Sequence, residues 1–245
     1  CFGDNVQAAA GAEFAFGHFG PNACLLWDEG MDYTRLLAGY FKRRFIELGG
    51  TILDDEAFKD DTVDFTPLVQ QVQSLPIQPD FFYIAAMPYN AGRVIRQLRE
   101  AGLKCPIMGG DGYDTPELLK TAGSAAEGVF FTTHAFVNST EGKEDMKRFI
   151  TAFVAEYGRE PQNAFAALGY DAMRLLLDAI RRAGSTDPSS IKHALEETKD
   201  FPGITGDITL SPKSHIPRKS VTIIEVKEGK FRFAGELVPQ LVPSP

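Results

Sequence analysis

The sequence predicts an α/β fold built on a parallel sheet flanked by helices. Two observations carry this. From residue 23 onward, short apolar runs alternate with stripes of helical period, and glycines punctuate the alternation. Strands joined by helices pair in parallel and need cover on both faces.

In chain order, Ala23-Cys-Leu-Leu-Trp27 reads as a buried strand. Tyr33, Leu36, Leu37, Tyr40, Phe41, Phe45 and Leu48 then share one helical face, which Gly49-Gly50 ends. Thr51 to Phe58 reads as a strand, Phe65, Leu68, Val69 and Val72 as a helical face, and Asp80 to Ala86 as an aromatic-rich strand. Val94, Ile95, Leu98 and Ala101 form a helix stopped by Gly102. Cys105 to Gly109 is a strand, Pro116 to Thr121 a short helix, and Gly128 to Thr133 another strand. After Asn138 the texture changes. Phe149, Phe153 and Tyr157 give one helical stripe, and Phe165, Leu168, Ala172, Leu175, Leu176 and Ala179 a second of about five turns. Ile191, Ala194 and Leu195 give a third, opened by Ser185-Thr186-Asp187-Pro188. Gly203 to Leu210 and Ser220 to Phe233 read as β, the latter turning at Glu228-Gly229. The anomaly is a helical block with no sheet of its own.

The 245 residues, 44% hydrophobic and 24% charged, suit one large or two modest globular domains. A net charge of -8 without a dense Lys/Arg run argues against a nucleic-acid partner. The most apolar helical stretch, Leu168 to Ile180, is broken by Asp171, Arg174 and Asp178, short of the roughly 20 apolar residues of a membrane span. Cys1, Cys24 and Cys105 are odd in number and widely spaced, which excludes a disulfide framework and a paired-cysteine zinc site. Cys24 and Cys105 lie in apolar runs and are expected to be buried. His18, His134, His193 and His215 are scattered, none at metal-ligand spacing. Phosphate-binding loops, His-Glu-x-x-His and Gly-x-Ser-x-Gly are missing, and Thr115 occupies the third-glycine position of a dinucleotide-like Gly110-Asp-Gly-Tyr-Asp-Thr115. No metal, cofactor or catalytic constellation is expected, and the chain reads as a binder rather than an enzyme.

In parallel sheets, ligands sit outside the carboxyl ends of the strands, which directs attention to Asp28–Tyr33, Met87–Asn90 and Gly109–Asp114. Asp111, between glycines, could accept hydrogen bonds from a ligand ammonium, and equally could close an Asx turn or cap a helix. Tyr33 and Tyr89 carry an apolar ring with a polar tip, suited to enclosing a small amphiphile. Tyr33 is also readable as a core residue of its helix. Pro88 and Asn90 imply a turn that exposes Tyr89.

Several segments together resemble the periplasmic binding proteins of branched-chain amino-acid ABC transporters, the leucine/isoleucine/valine-binding type with type I topology. They are Cys1-Phe-Gly-Asp-Asn-Val-Gln7, Trp27-Asp28 to Asp32-Tyr33, Gly49-Gly50, Asp60 to Phe65, Ile107-Met-Gly-Gly-Asp-Gly112, Ala126-Glu-Gly-Val-Phe-Phe-Thr-Thr133, Ala166-Ala-Leu-Gly-Tyr-Asp171 and Phe201-Pro-Gly-Ile-Thr-Gly206. Their order and spacing carry the match. The resemblance implies that Asp111 receives the ligand α-ammonium, that Tyr33 and Tyr89 line the same site, and that Asp4 lies near the hinge as a further candidate. It implies two lobes closing on an amino acid or related carboxylate, a membrane permease as partner, and a periplasmic or extracellular location. Residues 1–135 would be the ligand-binding C-terminal lobe, 136–215 the helical part of the N-terminal lobe, and 216–245 the return and tail. Cys1-Phe-Gly-Asp resembles the first crossover between lobes, which implies that the first lobe would be incomplete and Cys1 internal rather than a lipid anchor. The missing part is either absent or unregistered. A fragment of this kind would expose its apolar stripes between Phe149 and Ala179 and dimerise, swap helices or rearrange. The rivals are the sensing half of a receptor or regulator and an α/β enzyme.

Overall fold

The computed structural model describes residues 1–245, apart from the side chains at 214 and 215. The side chain of His215, one of the four scattered histidines, therefore lies outside the described residues. The chain divides into two compact units, Asp4–Thr133 with Val221–Pro245, and Cys1–Gly3 with His134–Ser220.

The first, the sheet unit, begins with α1 (Asp4–His18) and then alternates β1 (Asn22–Asp28), α2 (Asp32–Glu47), β2 (Thr51–Phe58), α3 (Thr66–Gln73), β3 (Phe81–Ala85), α4 (Pro88–Glu100), β4 (Ile107–Gly109), α5 (Pro116–Ala122) and β5 (Val129–Thr133). In the second unit follow α6 (Glu144–Tyr157), α7 (Ala164–Ala183), α8 (Pro188–Glu196), β6 (Phe201–Gly203), β7 (Gly206–Ser211) and β8 (Ser214–Arg218). The sheet unit resumes with β9 (Val221–Lys227) and β10 (Lys230–Leu237).

The seven-stranded sheet runs β10-β9-β5-β4-β3-β1-β2. β2, β1, β3, β4 and β5 pair in parallel, as the alternation predicts. β9 joins β5 antiparallel and turns into β10 at Glu228-Gly229, both with positive φ, the geometry of a tight hairpin. β3 is buried along its whole length and β1 at five of seven residues, as strands covered on both faces must be. Phe41 on α2 stacks on Tyr83 of β3 with ring centroids 3.6 Å apart, and Phe45 and Phe81 extend the same core. Leu36, expected on the buried face of α2, is 44% exposed.

The largest element missed by periodicity is α1. Ala8, Ala9, Ala10, Ala12 and Ala15 are all buried, so the helix is apolar around much of its circumference and has no amphipathic stripe to read. Gly11 lets it lie close on the sheet, because a Cβ there would meet Met108 Cε at 3.3 Å and Thr132 Cγ2 at 3.6 Å. Glu13 of α1 accepts from Arg44 Nη2 at 2.7 Å and from the amide of Gln240 at 3.0 Å, a nearly buried pair that pins the C-terminal segment. Cys24 is buried and Cys105 partly so, the latter two residues ahead of β4 rather than within it. Burial pushes their thiols up, to about 12 and about 11, which keeps both protonated and unreactive at neutral pH.

In the helical unit, α6 and α7 pack through Met146, Phe149, Ile150, Ala164 and Ala167. β6, β7 and β8 form a small antiparallel sheet, in which β8 had no counterpart in the sequence reading. Asp171, 1% exposed, accepts from the amides of Ile204 and Thr205 at 2.9 Å each and from Thr205 Oγ1 at 2.8 Å. A carboxylate on α7 thus fixes the turn between β6 and β7. Lys219 Nζ donates to Thr205 Oγ1 at 2.7 Å, so this turn is held from both sides.

Candidate functional site

Within the sheet unit, strand order reverses beside β1, whose neighbours are β2 and β3, and the loops leaving the carboxyl ends of β1, β3 and β4 carry the three segments singled out by sequence. After β4, residues 111–113 make a single 3-10 turn that places Asp111 at the sheet edge. The second acid of this motif has a different fate. Asp114 is 8% exposed and accepts from Thr133 Oγ1 at 2.6 Å, and Tyr113 is fully buried with its hydroxyl donating to the Ile84 carbonyl at 2.8 Å. Asp114 and Tyr113 build the turn, while Asp111 is partly exposed.

Asp111 is held rather than loose. Tyr33 Oη donates to its Oδ1 at 2.8 Å and accepts from the Gly112 amide at 3.2 Å. Gln7 Nε2 donates to the same Oδ1 at 3.0 Å, while Gln7 Oε1 accepts from the Asp111 amide at 3.0 Å. Gly110 makes this approach possible, since a Cβ there would lie 2.5 Å from Leu37 Cδ2 and 2.7 Å from Tyr33 Oη. Burial and the neighbouring Asp111 charge push the Tyr33 phenol well above its ordinary value, so it stays a donor toward Asp111.

Tyr33 satisfies both of its sequence readings. Its ring packs against the core and its hydroxyl reaches the site. The turn that leads into its helix is braced: Asp28, 1% exposed, accepts from the Gly30 amide and from Asn90 Nδ2, each at 2.9 Å, and Thr34 donates to the Asp28 carbonyl. Asp4, in the first turn of α1, joins the same network, accepting from Gln7 Nε2 at 2.9 Å. Burial, helped by the Asp111 charge, raises the Asp4 carboxyl against the opposing Gln7 hydrogen bond.

Tyr89 is placed differently. Pro88 to Asn90 are not a free turn but the first turn of α4, because Pro at the first helical position has no amide hydrogen to lose and its φ already suits a helix. Tyr89 is 56% exposed, with the Arg93 guanidinium 5.4 Å from its ring. Gln7 and Thr132, which donates to Gln7 Oε1 at 2.9 Å, escaped the sequence reading. Gln7 lies inside a matched segment, but only its contact with a residue 104 positions away reveals its role.

A mostly parallel sheet with a fixed carboxylate at its carboxyl edge defines an α/β fold with a candidate ligand site at the place where such sheets present one. The chain belongs to the periplasmic binding protein family, whose sequence model matches residues 2–230. A Leu/Ile/Val-binding protein homolog 1 from Brucella suis is 28% identical over 214 residues, covering 87% of this chain and 56% of the relative. The crystal structure of the leucine binding protein LivK from Thermotoga maritima superposes with TM-score 0.86 at 35% identity, covering 98% of this chain and 67% of that one. LivJ from Streptococcus pneumoniae, solved in complex with isoleucine, gives TM-score 0.80 at 27% identity over 98% of this chain and 66% of its own. The chain thus spans little more than half the length of the curated relative from Brucella suis. Among the described residues, no helix is long and apolar enough to cross a membrane.

Proposed function

We propose that this chain is the greater part of an extracytoplasmic solute-binding protein that takes up an amino acid, branched-chain in the first instance, for delivery to the permease of an ABC transporter. Asp111 receives the ligand α-ammonium, the Tyr33 ring flanks it, and Tyr89 forms the outer wall. The observation that carries this reading is the Asp111 carboxylate, held at the sheet edge by Tyr33 and Gln7 while remaining partly exposed. A carboxylate fixed in advance meets an ammonium with a charge-assisted bond and little ordering cost. The leucine- and isoleucine-binding names of the relatives point to the same chemistry.

Calorimetric titration of the chain with leucine tests it. Asp111→Ala is expected to weaken binding by about 2–3 kcal/mol, roughly 30- to 150-fold, with an unchanged circular dichroism spectrum. Retained affinity would sink the assignment. The chain by itself is also expected to associate with a second copy through the exposed apolar side of α7, where Phe165, Tyr170, Met173, Leu176 and Leu177 stand 37–56% exposed. Light scattering reads this directly, and a monomer across the accessible concentration range counts against it.

A further inference from the structure

Gln7 is only 1% exposed, and all of its hydrogen-bonding capacity toward this site is engaged. Its Oε1 accepts from a backbone amide, that of Asp111, and from Thr132 Oγ1. An amide hydrogen cannot turn into an acceptor, so this pairing fixes which end of the side chain is oxygen and which is nitrogen. The NH2 group must then face the two carboxylates, giving one hydrogen to Asp4 Oδ1 at 2.9 Å and one to Asp111 Oδ1 at 3.0 Å. Both of its N–H bonds end on acids that would otherwise repel each other, and its grip on Asp111 has two points, backbone and side chain.

We infer that Gln7 is the positioning residue of the ligand-binding carboxylate: it sets the direction in which Asp111 faces and bridges it to Asp4. The inference rests on the proposed role of Asp111 in ligand binding. Three independent elements converge on this amide, the start of α1, the turn after β4, and Thr132 of β5. Tyr33 and Tyr83 lie close enough to these acids to feel their charges, and burial pushes both phenols up, so neither loses a proton near neutrality.

That arrangement sets two variants apart. Gln7→Leu removes the donor at every pH. Gln7→Glu keeps the shape but places a third acid against Asp4 and Asp111, and such a group holds its proton to unusually high pH. When protonated it supplies one O–H donor in place of the two N–H donors of the amide. When ionised it repels the acids it should hold.

The experiment is leucine binding by calorimetry between pH 5 and pH 8 on the wild-type chain and both variants, with melting curves to establish folding. Gln7→Leu is expected to bind on the order of 10-fold more weakly throughout. Gln7→Glu is expected to match that loss at pH 8 and to recover toward wild type as the pH falls, whereas wild type stays level or weakens on acidification. Parallel pH profiles for all three proteins, or wild-type affinity in Gln7→Leu, would overturn the inference. Carboxyl-carbon NMR titration of the ligand-free chains supplies a readout independent of binding. Loss of the Gln7 donor should raise the titration midpoints of Asp4 and Asp111, and unchanged midpoints would overturn the inference whether or not leucine binds. If wild type fails to bind leucine while those midpoints do rise, the ligand assignment falls and the positioning role stands.

Discussion

The sheet unit and the helical unit treat apolar residues in opposite ways. In the sheet unit, the face of α2 bearing Leu37, Phe41 and Phe45 lies on β3, and Ala8 to Ala15 of α1 close over the sheet. In the helical unit, α7 buries Ala164, Ala167, Asp171 and Ala179 and leaves its bulkiest residues in solvent. At 3.6 residues per turn, its five charged residues, Asp171, Arg174, Asp178, Arg181 and Arg182, fall within about 100° of arc. The rest of the helix is uncharged, the profile of a helix surrounded by other structure. The comparison teaches that what a helix's apolar residues contribute to stability depends on whether a sheet lies against them.

The largest expected effects lie in the sheet unit. Phe41→Ala, at a site with no exposure, is expected to cost about 3–5 kcal/mol in urea unfolding. Glu13→Ala leaves Arg44, whose side chain is 8% exposed, with the 3.4 Å contact to Glu47, and should cost about 1–3 kcal/mol, whereas replacing both Glu13 and Arg44 by apolar residues should cost less. In the helical unit the polar clasp should matter more than the apolar surface. Asp171→Ala leaves the amides of Ile204 and Thr205 unpaired, and a loss of about 1–3 kcal/mol is expected in the same assay.

A pH effect sharpens the contrast from the site itself. Asp4 holds its proton in the folded chain above the ordinary value of 3.8, so the folded state binds more protons than the unfolded one from pH 3.8 up to its raised value. The resulting stabilisation is complete below 3.8 and is lost as the pH rises through the folded value. Asp4→Asn, which cannot ionise and still accepts from Gln7, should melt with wild type below pH 3.8 and above it at pH 7, as differential scanning calorimetry would read. The smallest effect is reserved for the exposed side of α7. Leu177→Ser is expected to change the stability of the dissociated chain, at concentrations where light scattering reads a monomer, by no more than about 0.5 kcal/mol. A loss comparable to that of Phe41→Ala would break the comparison, because it would mean the surface is already covered.

Much of the fold was legible in the sequence. β1 to β5 and α2 to α8 announce themselves through periodicity, because half-buried helices and doubly covered strands leave different patterns of apolar residues. α1 did not, since alanines buried around most of a helix carry no period, and the short β8 left no distinct signal. At the site, the glycines around Asp111 were visible as a turn, but not the reason Gly110 must be glycine, which is that Leu37 Cδ2 and the Tyr33 hydroxyl crowd the place its Cβ would take. Tyr89 was expected in a turn, and Pro88 placed it in a helix instead.

The sequence by itself determined the alternating α/β order, the family through its ordered motifs, and Asp111 and Tyr33 as the residues to watch. Only the tertiary structure decided that Asp111 and Asp114, three positions apart in one motif, part ways, the one toward the sheet edge and the other into a bond with Thr133. It also brought Gln7 to Asp111 from 104 residues away. The reason is physical. Periodicity reports how one segment meets an apolar surface, whereas a hydrogen-bonded site is a relation among distant segments, created when the sheet assembles.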